Sequence, residues 1–269
     1  MIRSKRFAVR SALLLAIGAG LCAHDLWLIP PAPVAAPGTP QVIEVAVGMD
    51  FPHSESAAHP SRLHLAAQGP RTKLACEVEQ RTEEKRTLVR CTPEESGVHV
   101  VTCRTEPRVL SMKADEFNSY LLHDGLPQVL SARMERGELA RDAVERYRKC
   151  AKALFEVGDA GPRELATQAL GLELEVVCEK DPLRAAVGEA LPVRVLLRGA
   201  GVANANLCWD HPGNGALFSG QCWTDAEGRA LVPIAKSGLM TLRLIHMERP
   251  QAADHEWDSL WSSLTFRVR

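Results

Sequence analysis

The sequence predicts a mainly β protein, in which immunoglobulin-like β-sandwich domains are separated by an inserted helical segment. Short, alternating or β-branched apolar segments, separated by Gly, Pro, Ser and charged residues, occur in both terminal parts of the chain. A helical period replaces this alternation in the middle. The last part carries at least six strand signals in about 95 residues, which is the size and spacing of an immunoglobulin-like sandwich.

Strand signals open the mature chain. They fall at residues 42–47, 63–67, 74–78, 87–91 and 98–103. Together with the central helical residues they define a predicted N-terminal β domain, 24–171. Alternation resumes in a predicted C-terminal domain, 172–269, with strands at 172–176, 191–197, 203–209, 230–234, 239–247 and 264–268.

The helical segment is predicted over about 114–158. A first short helix ends before Gly125, and a second begins at Pro127. The clearest period covers 139–157, because its apolar residues recur at helical spacing and Gly158 follows. The stripe consists of Ala140, Val144, Tyr147, Ala151, Leu154 and Phe155.

The first 23 residues have the pattern of a signal peptide. A basic start precedes an apolar run, 11–21, that is too short to span a bilayer. Cleavage after Ala23 would leave His24 as the first residue of a periplasmic or secreted protein with no membrane span. The alternative is lipid modification of Cys22, which the bulky Leu21 disfavours.

Charge and cysteine content narrow the class of protein further. The formal net charge is −1, so the sequence indicates neither nucleic-acid nor anionic-membrane binding. Of eight cysteines, all but Cys22 follow the leader, which suits an oxidising compartment. A hairpin predicts a Cys76–Cys91 bridge, and a turn-rich loop predicts a Cys208–Cys222 bridge. The alternative for the loop is a metal site formed by Cys208, His211 and Cys222.

Two histidines occupy positions that suit metal ligands. Cleavage after Ala23 would place an α-amino group beside the His24 imidazole, and these two nitrogens can chelate one metal ion. His246 continues the apolar face of its strand, which carries Met240, Leu242 and Leu244. The alternatives are an incidental N-terminal histidine and a core histidine bonded to the backbone.

Several ordered motifs carry a family resemblance. They are Ala-His-Asp-Leu-Trp-Leu at 23–28, Glu-Phe-Asn-Ser-Tyr-Leu at 116–121, Glu-Arg-Tyr-Arg-Lys-Cys-Ala-Lys at 145–152, Leu-Glu-Leu-Glu at 172–175, Thr-Asp-Ala-Glu-Gly-Arg at 224–229 and Trp-Asp-Ser-Leu-Trp-Ser-Ser-Leu-Thr-Phe at 257–266. The mature chain resembles the bacterial exported family called domain of unknown function 4198, which is grouped with periplasmic components of nickel and cobalt uptake systems. The resemblance implies an exported, mostly β protein that handles divalent metal, with His24 and His246 at matching positions.

The resulting hypothesis is a divalent transition-metal site in an accessory protein of nickel or cobalt uptake. His24 supplies its amine and ring, His246 a third nitrogen, and Asp25 or Asp258 an oxygen or an outer contact. Such nitrogen ligands favour copper over nickel and nickel over cobalt, so copper is the alternative metal. The expected partners are the metal ion and a membrane transporter component.

Other functions remain alternatives at this stage. The common hydrolase, nucleotide-binding and zinc-protease motifs do not occur in the sequence, and we expect a protein that is not an enzyme. A cell-surface interaction or structural module is the second hypothesis, since a sandwich fold suits almost any function. A copper oxidase with a histidine brace is the third, with His246 as the second brace histidine.

Overall fold

The computed structural model describes residues 24–31, 34–213, 218–251 and 254–269, so the predicted leader lies outside the described residues. Two α-helices are present, α1 (Ala114–His123) and α2 (Pro127–Glu135). The strands are β1 (Asp25–Ile29), β2 (Gln41–Gly48), β3 (Leu63–Gln68), β4 (Lys73–Leu74), β5 (Glu77–Arg81), β6 (Arg86–Cys91), β7 (Gly97–Thr105), β8 (Arg108–Met112), β9 (Ala143–Val157), β10 (Leu174–Cys178), β11 (Ala190–Leu197), β12 (Ala200–Gly201), β13 (Asn206–Asp210), β14 (Gly220–Trp223), β15 (Arg229–Pro233), β16 (Gly238–Glu248) and β17 (Trp257–Val268). Among the described residues, no helix is long and apolar enough to cross a membrane.

The strands of the described residues form three sheets. A large sheet has the order β14-β13-β16-β17-β9-β7-β3-β4, with β8 also paired to β9. An N-terminal sheet has the order β1-β2-β6-β5, and a C-terminal sheet contains β10, β11, β12 and β15. The large sheet joins both halves of the chain, because β17 pairs in parallel with β9 from Glu145 opposite Trp257 to Ala153 opposite Thr265.

The large sheet is buried on both faces. Consecutive strand residues point to opposite faces, and in β9 this places Leu154 in one core and Phe155 in the other. The Phe155 face packs against β1, β2 and β6, whereas the Leu154 face packs against β10 and β11. The molecule therefore has three β layers, and the mainly β, sandwich-like prediction is confirmed.

The two short helices cover the remaining part of the large sheet. Helix α1 begins after Lys113, whose backbone N–H donates to Glu116 Oε2 (3.2 Å). Its buried rings stack on β17, with Tyr120 and Trp261 ring centroids 5.9 Å apart. The helix is followed by Gly125, whose φ of +76° is in the left-handed region that favours glycine. These boundaries confirm the prediction of a short helix that ends before Gly125 and of a second helix that begins at Pro127.

The prediction of a helix over 139–157 was wrong, because residues 143–157 form the long strand β9. Alanine, leucine and phenylalanine side chains fill both faces of its second half, so the alternation of polar and apolar residues is lost. The charged residues of that half, Lys152 and Glu156, are also buried, and Lys152 Nζ lies 2.7 Å from Glu175 Oε1 of β10. Because both faces of β9 are covered, apolar residues occur on both of them. Their spacing in the sequence therefore resembled the apolar stripe of a helix.

Most predicted strands are confirmed. The signal at 74–78 is divided between β4 and β5, β17 begins at Trp257 rather than at 264, and the strands β1, β8, β12 and β14 were not predicted. β1 is only five residues long and contains two leucines, a tryptophan and an isoleucine without alternation. Its identity as a strand depends on its pairing with β2, from Asp25 opposite Gly48 to Ile29 opposite Glu44.

The two predicted disulfides are not formed, since all seven cysteines of the described residues are free thiols. The first hairpin nevertheless has the predicted register. Glu77 lies opposite Arg90, so the preceding Cys76 is aligned with Cys91. In the second hairpin Leu207 is opposite Cys222, which places Cys208 one residue away and on the other face of the ladder.

Candidate functional site

A cavity opens where β9 changes its neighbour in the large sheet. Cys150 of β9 pairs with Arg104 of β7, whereas Tyr147 pairs with Arg108 of β8. Arg148 and Lys149 lie between these two pairings and have strand partners only on the β17 side. The space left by the switch belongs to a cavity of about 780 Å³.

Side chains from several elements line this cavity. His24 precedes β1, and Glu55 and His59 come from the segment that follows β2. Arg62 immediately precedes β3, and Arg108 lies at the start of β8. Tyr147 and Lys149 of β9 complete the polar wall, and the rest is largely apolar, with Leu26, Val47, Ala57, Ala58, Leu63, Val109 and Leu110.

His24 is paired with a carboxylate at this cavity. Its Nε2 atom lies 3.2 Å from Glu55 Oε2, and both side chains are partly exposed. Glu55 is itself fixed, because its Oε1 accepts a hydrogen bond from Met49 N (2.8 Å) and its backbone N–H donates to Val47 O (2.8 Å). When Nε2 carries the proton toward Glu55, the lone pair of the neutral ring is on Nδ1.

The second predicted ligand, Asp25, is held in a buried ion-pair network. Its Oδ2 atom is 2.9 Å from Arg243 Nη1, and the same nitrogen lies 3.4 Å from Asp124 Oδ1. Burial opposes the charge on Arg243, but attraction by Asp25 and Asp124 outweighs it and raises the pKa of Arg243. Burial raises the pKa of Asp124 to about 6 despite this arginine. Asp25 thus serves as a counter-ion inside the fold.

His246 and Asp258 lie on the neighbouring strands β16 and β17. His246 is one-quarter exposed, and its Nε2 atom is 3.5 Å from Glu248 Oε2. Asp258 accepts two hydrogen bonds from Arg146, at 2.8 and 3.1 Å, and lies 3.0 Å from His255 Nε2. Burial opposes its ionisation, but these bonds outweigh burial and lower the pKa of Asp258.

The four predicted metal ligands therefore have separate partners. His24 is paired with Glu55, Asp25 with Arg243, His246 with Glu248, and Asp258 with Arg146 and His255. In the part of the chain that the structure describes, no group of three or more His, Cys, Asp or Glu side chains is arranged to hold a metal ion. That statement also covers Cys208, His211 and Cys222. His211 is buried and its Nδ1 lies 3.2 Å from Leu239 O.

Lys149 is the main site residue that sequence reasoning missed. Its side chain is buried, with only 7% of the residue exposed, and lies over the rings of Trp261 (4.8 Å) and Tyr147 (5.4 Å). Burial lowers the pKa of Lys149 to about 8, against the attraction of Asp25, Asp124 and Glu145. No local signal marked Lys149, because Arg146 and Arg148 are its close neighbours in the sequence and the helix predicted over 139–157 gave it no role.

Three β layers with a polar cavity at a break in the shared sheet define a β-sandwich protein with a ligand-sized recess. The chain belongs to the family described as Domain of unknown function (DUF4198), whose family model matches residues 21–248. This match confirms the family that the sequence motifs indicated. No curated protein matches the chain at a significant level.

Several solved structures have a weak similarity to the chain. The D0-D1 domain of intimin is 12% identical over 90% of this chain and 97% of that chain, with a TM-score of 0.24. The Yersinia pseudotuberculosis adhesin InvE is 13% identical over 93% of this chain and 61% of that chain, with a TM-score of 0.23. The human OSCAR ligand-binding domain is 11% identical, covering 88% of this chain and 95% of that one at a TM-score of 0.20. These similarities carry no inference about function.

Proposed function

We propose that the protein is an exported, non-enzymatic binding protein for a divalent transition metal, and an accessory to nickel or cobalt uptake. The metal is held by His24 through its ring and, after cleavage at Ala23, its α-amino group. The observation that supports this proposal is the pairing of His24 Nε2 with Glu55 Oε2 at the cavity.

The pairing suits a metal ligand because it selects one ring nitrogen. Histidines that bind metals usually donate their other ring N–H to a carboxylate or carbonyl, which fixes the tautomer and the ring orientation. Here Glu55 would receive the Nε2 proton, so Nδ1 and the amine of the same residue are the chelating pair. Nickel, cobalt and copper all accept such nitrogen ligands.

The proposal gives the other predicted ligands different roles. Asp25 neutralises Arg243, and Asp258 is held by Arg146, so both carboxylates serve the fold. His246 is left out of the proposed site, because its cross-strand partner Leu260 and its neighbour Leu244 belong to the core of the C-terminal sheet, whereas Leu26 beside the cavity belongs to the core on the other face.

The first prediction concerns the amine and Glu55. We expect calorimetric titration to show saturable nickel, cobalt and copper binding to protein that begins at His24, and strong loss of binding when Ala23 is retained. Glu55→Gln should weaken binding by about 10- to 100-fold, the usual loss when a partner of a ligating histidine is removed. Asp258→Asn should leave the affinity unchanged.

A matched control is available in the nearby pair His53 and Asp50. His53 Nδ1 lies 3.3 Å from Asp50 Oδ2, but this pair is mostly exposed. Asp50→Asn should not alter metal binding. Equal affinity with and without Ala23, or an unchanged affinity in Glu55→Gln, would contradict the proposed site. The accessory role is tested separately, by measuring nickel and cobalt accumulation in cells that lack the protein.

A further inference from the structure

The cavity beside His24 has cationic side chains without carboxylate partners. Among the described residues, Arg62, Arg108 and Lys149 form no ion pair. Elsewhere in the chain arginines are commonly paired, as Arg86 is with Glu44 at 2.7 Å. The cavity wall therefore has an excess of positive charge.

Lys149 is the clearest indication that this wall suits an anion. Its ammonium group has no hydrogen-bond or ion-pair partner among the described residues and lies over the rings of Trp261 and Tyr147. Residues this little exposed normally have their charge paired, yet the Nζ atom of Lys149 is not one of the fully buried unpartnered atoms of the described residues, so it reaches the cavity. Its backbone N–H donates to Thr105 Oγ1 (3.0 Å), which fixes β9 where β7 ends. The ammonium is thus available at the wall for an anion.

The carboxylates around the cavity do not fill this role. Glu55 lines the wall but is paired with His24. Asp25 and Asp124 influence Lys149 electrostatically, yet both contact Arg243. Glu145 accepts hydrogen bonds from Tyr120 and Ser259. The two arginines at the rim of the cavity are Arg62, which donates to the backbone carbonyl of Glu106 (3.3 Å), and Arg108, and neither forms an ion pair among the described residues.

We infer that this cavity binds a small organic anion with two or more carboxylate groups, held by Arg62, Arg108 and Lys149. The volume of about 780 Å³ lies within the range of small-molecule sites. Arginine forks match carboxylates, and the three cations come from three different elements, which suits several spaced charges. Apolar side chains such as Leu26 and Leu63 suit a carbon skeleton.

This inference goes beyond the proposed metal site and does not depend on it. The anion site uses the arginines and Lys149, whereas the metal site uses His24 and its amine. An experiment in chelator-treated protein therefore separates the two. The probe is citrate, with succinate as a shorter dicarboxylate and trimethyl citrate as an uncharged analogue.

We expect calorimetry at pH 7 and low salt to show saturable citrate binding, weaker succinate binding and no binding of trimethyl citrate. Arg62→Gln and Arg108→Gln should each lower citrate affinity by about tenfold, as for loss of one charge-assisted hydrogen bond. Lys149→Met should lower it further. Arg71→Gln is the matched control, since Arg71 is exposed, forms no ion pair among the described residues and lies beyond the other end of β3.

Each outcome of these titrations either supports or overturns the inference. Absence of citrate and succinate binding, or equal affinities in the wild type and the two rim variants, would overturn the inference. If Lys149→Met does not fold, the rim variants decide, because Arg108 is exposed and Arg62 is partly exposed. Loss of metal binding in the Ala23-retaining protein, with citrate binding intact, would support both sites as independent.

Discussion

Glu145 shows how a single buried carboxylate affects the stability of the fold. Its Oε1 atom accepts hydrogen bonds from Tyr120 Oη (3.2 Å) and from Ser259, whereas Oε2 has no partner among the described residues. Burial raises the pKa of Glu145 to about 7, despite these bonds and the attraction of Lys149. The protonated acid is therefore the form that the fold favours.

The sign of the pH effect follows from linkage. An acid with a raised pKa binds more protons in the native state than in the unfolded state, so stability falls as pH rises between the two pKa values. For Glu145 this window extends from about 4.5 to about 7. Asp124, with a pKa of about 6, acts in the same direction from about 4.

We predict that Glu145→Gln reduces this loss of stability. The amide cannot ionise, so the variant should gain up to about 3 kcal/mol relative to wild type between pH 5 and pH 8. Chemical denaturation at pH 5, 6, 7 and 8 measures the difference. Glu83→Gln, at an exposed position, is the control. Parallel stability curves for wild type and Glu145→Gln would refute the assignment.

At the scale of elements, strands with one buried face could be predicted from their local sequence pattern, whereas features that depend on pairing between distant segments could not. β2 and β11 were predictable because one face of each is more buried than the other, which preserves alternation. β9 was not, because cores on both faces remove that alternation. His24 was found from its position after a leader-like segment. Two features depend on how distant segments meet, namely its partner Glu55 and the gap in the strand pairing of β9 at Lys149. No local sequence pattern predicts such features.

The two cysteine hairpins make a direct test of register. Cys76 and Cys91 are aligned across the β5–β6 hairpin. Burial, and to a smaller extent the neighbouring thiol of Cys76, raises the pKa of Cys91 to about 11. We predict that mild oxidation links this pair, because directly opposite residues on one face of a ladder bring their Cβ atoms to about 4.5–5.5 Å, so that only a small adjustment is needed for a disulfide. Cys208 and Cys222 should stay unlinked, since they point to opposite faces.

Peptide mapping by mass spectrometry after oxidation measures both outcomes. The slow reaction expected of a thiol with a high pKa is accelerated at alkaline pH, which supplies more thiolate. Cys76→Ser removes the predicted link and is the control. A Cys208–Cys222 peptide without a Cys76–Cys91 peptide would contradict the observed registers.

At the scale of the molecule, the large sheet connects both predicted domains. β9 belongs to the first and β17 to the second, and they pair in parallel along nine residue positions from Glu145 to Ala153. A buried ion pair between Lys152 and Glu175 joins this sheet to the C-terminal one (2.7 Å). The boundary predicted at 171 is followed by β10, which packs on the same shared sheet.

We therefore predict one cooperative unfolding transition for 24–269. Lys152→Met should lower the free energy of unfolding by about 3 kcal/mol, because Glu175 loses its buried counter-ion. The midpoint of the whole transition should fall accordingly. Far-UV circular dichroism and tryptophan fluorescence should change together, since Trp27 and Trp261 lie in different sheets. Two separated transitions, with only one shifted by Lys152→Met, would instead establish independent domains.

The parallel pairing of β9 and β17 also has a consequence for biogenesis. Asp258 and its partner Arg146 are 112 positions apart in the sequence. Until β17 has been synthesised, one edge of β9 has no strand to pair with, and the apolar faces beside it are incompletely covered. The strand at the centre of the finished molecule is therefore the one that the growing chain leaves open for longest, and the stage most exposed to aggregation precedes completion of the last strand.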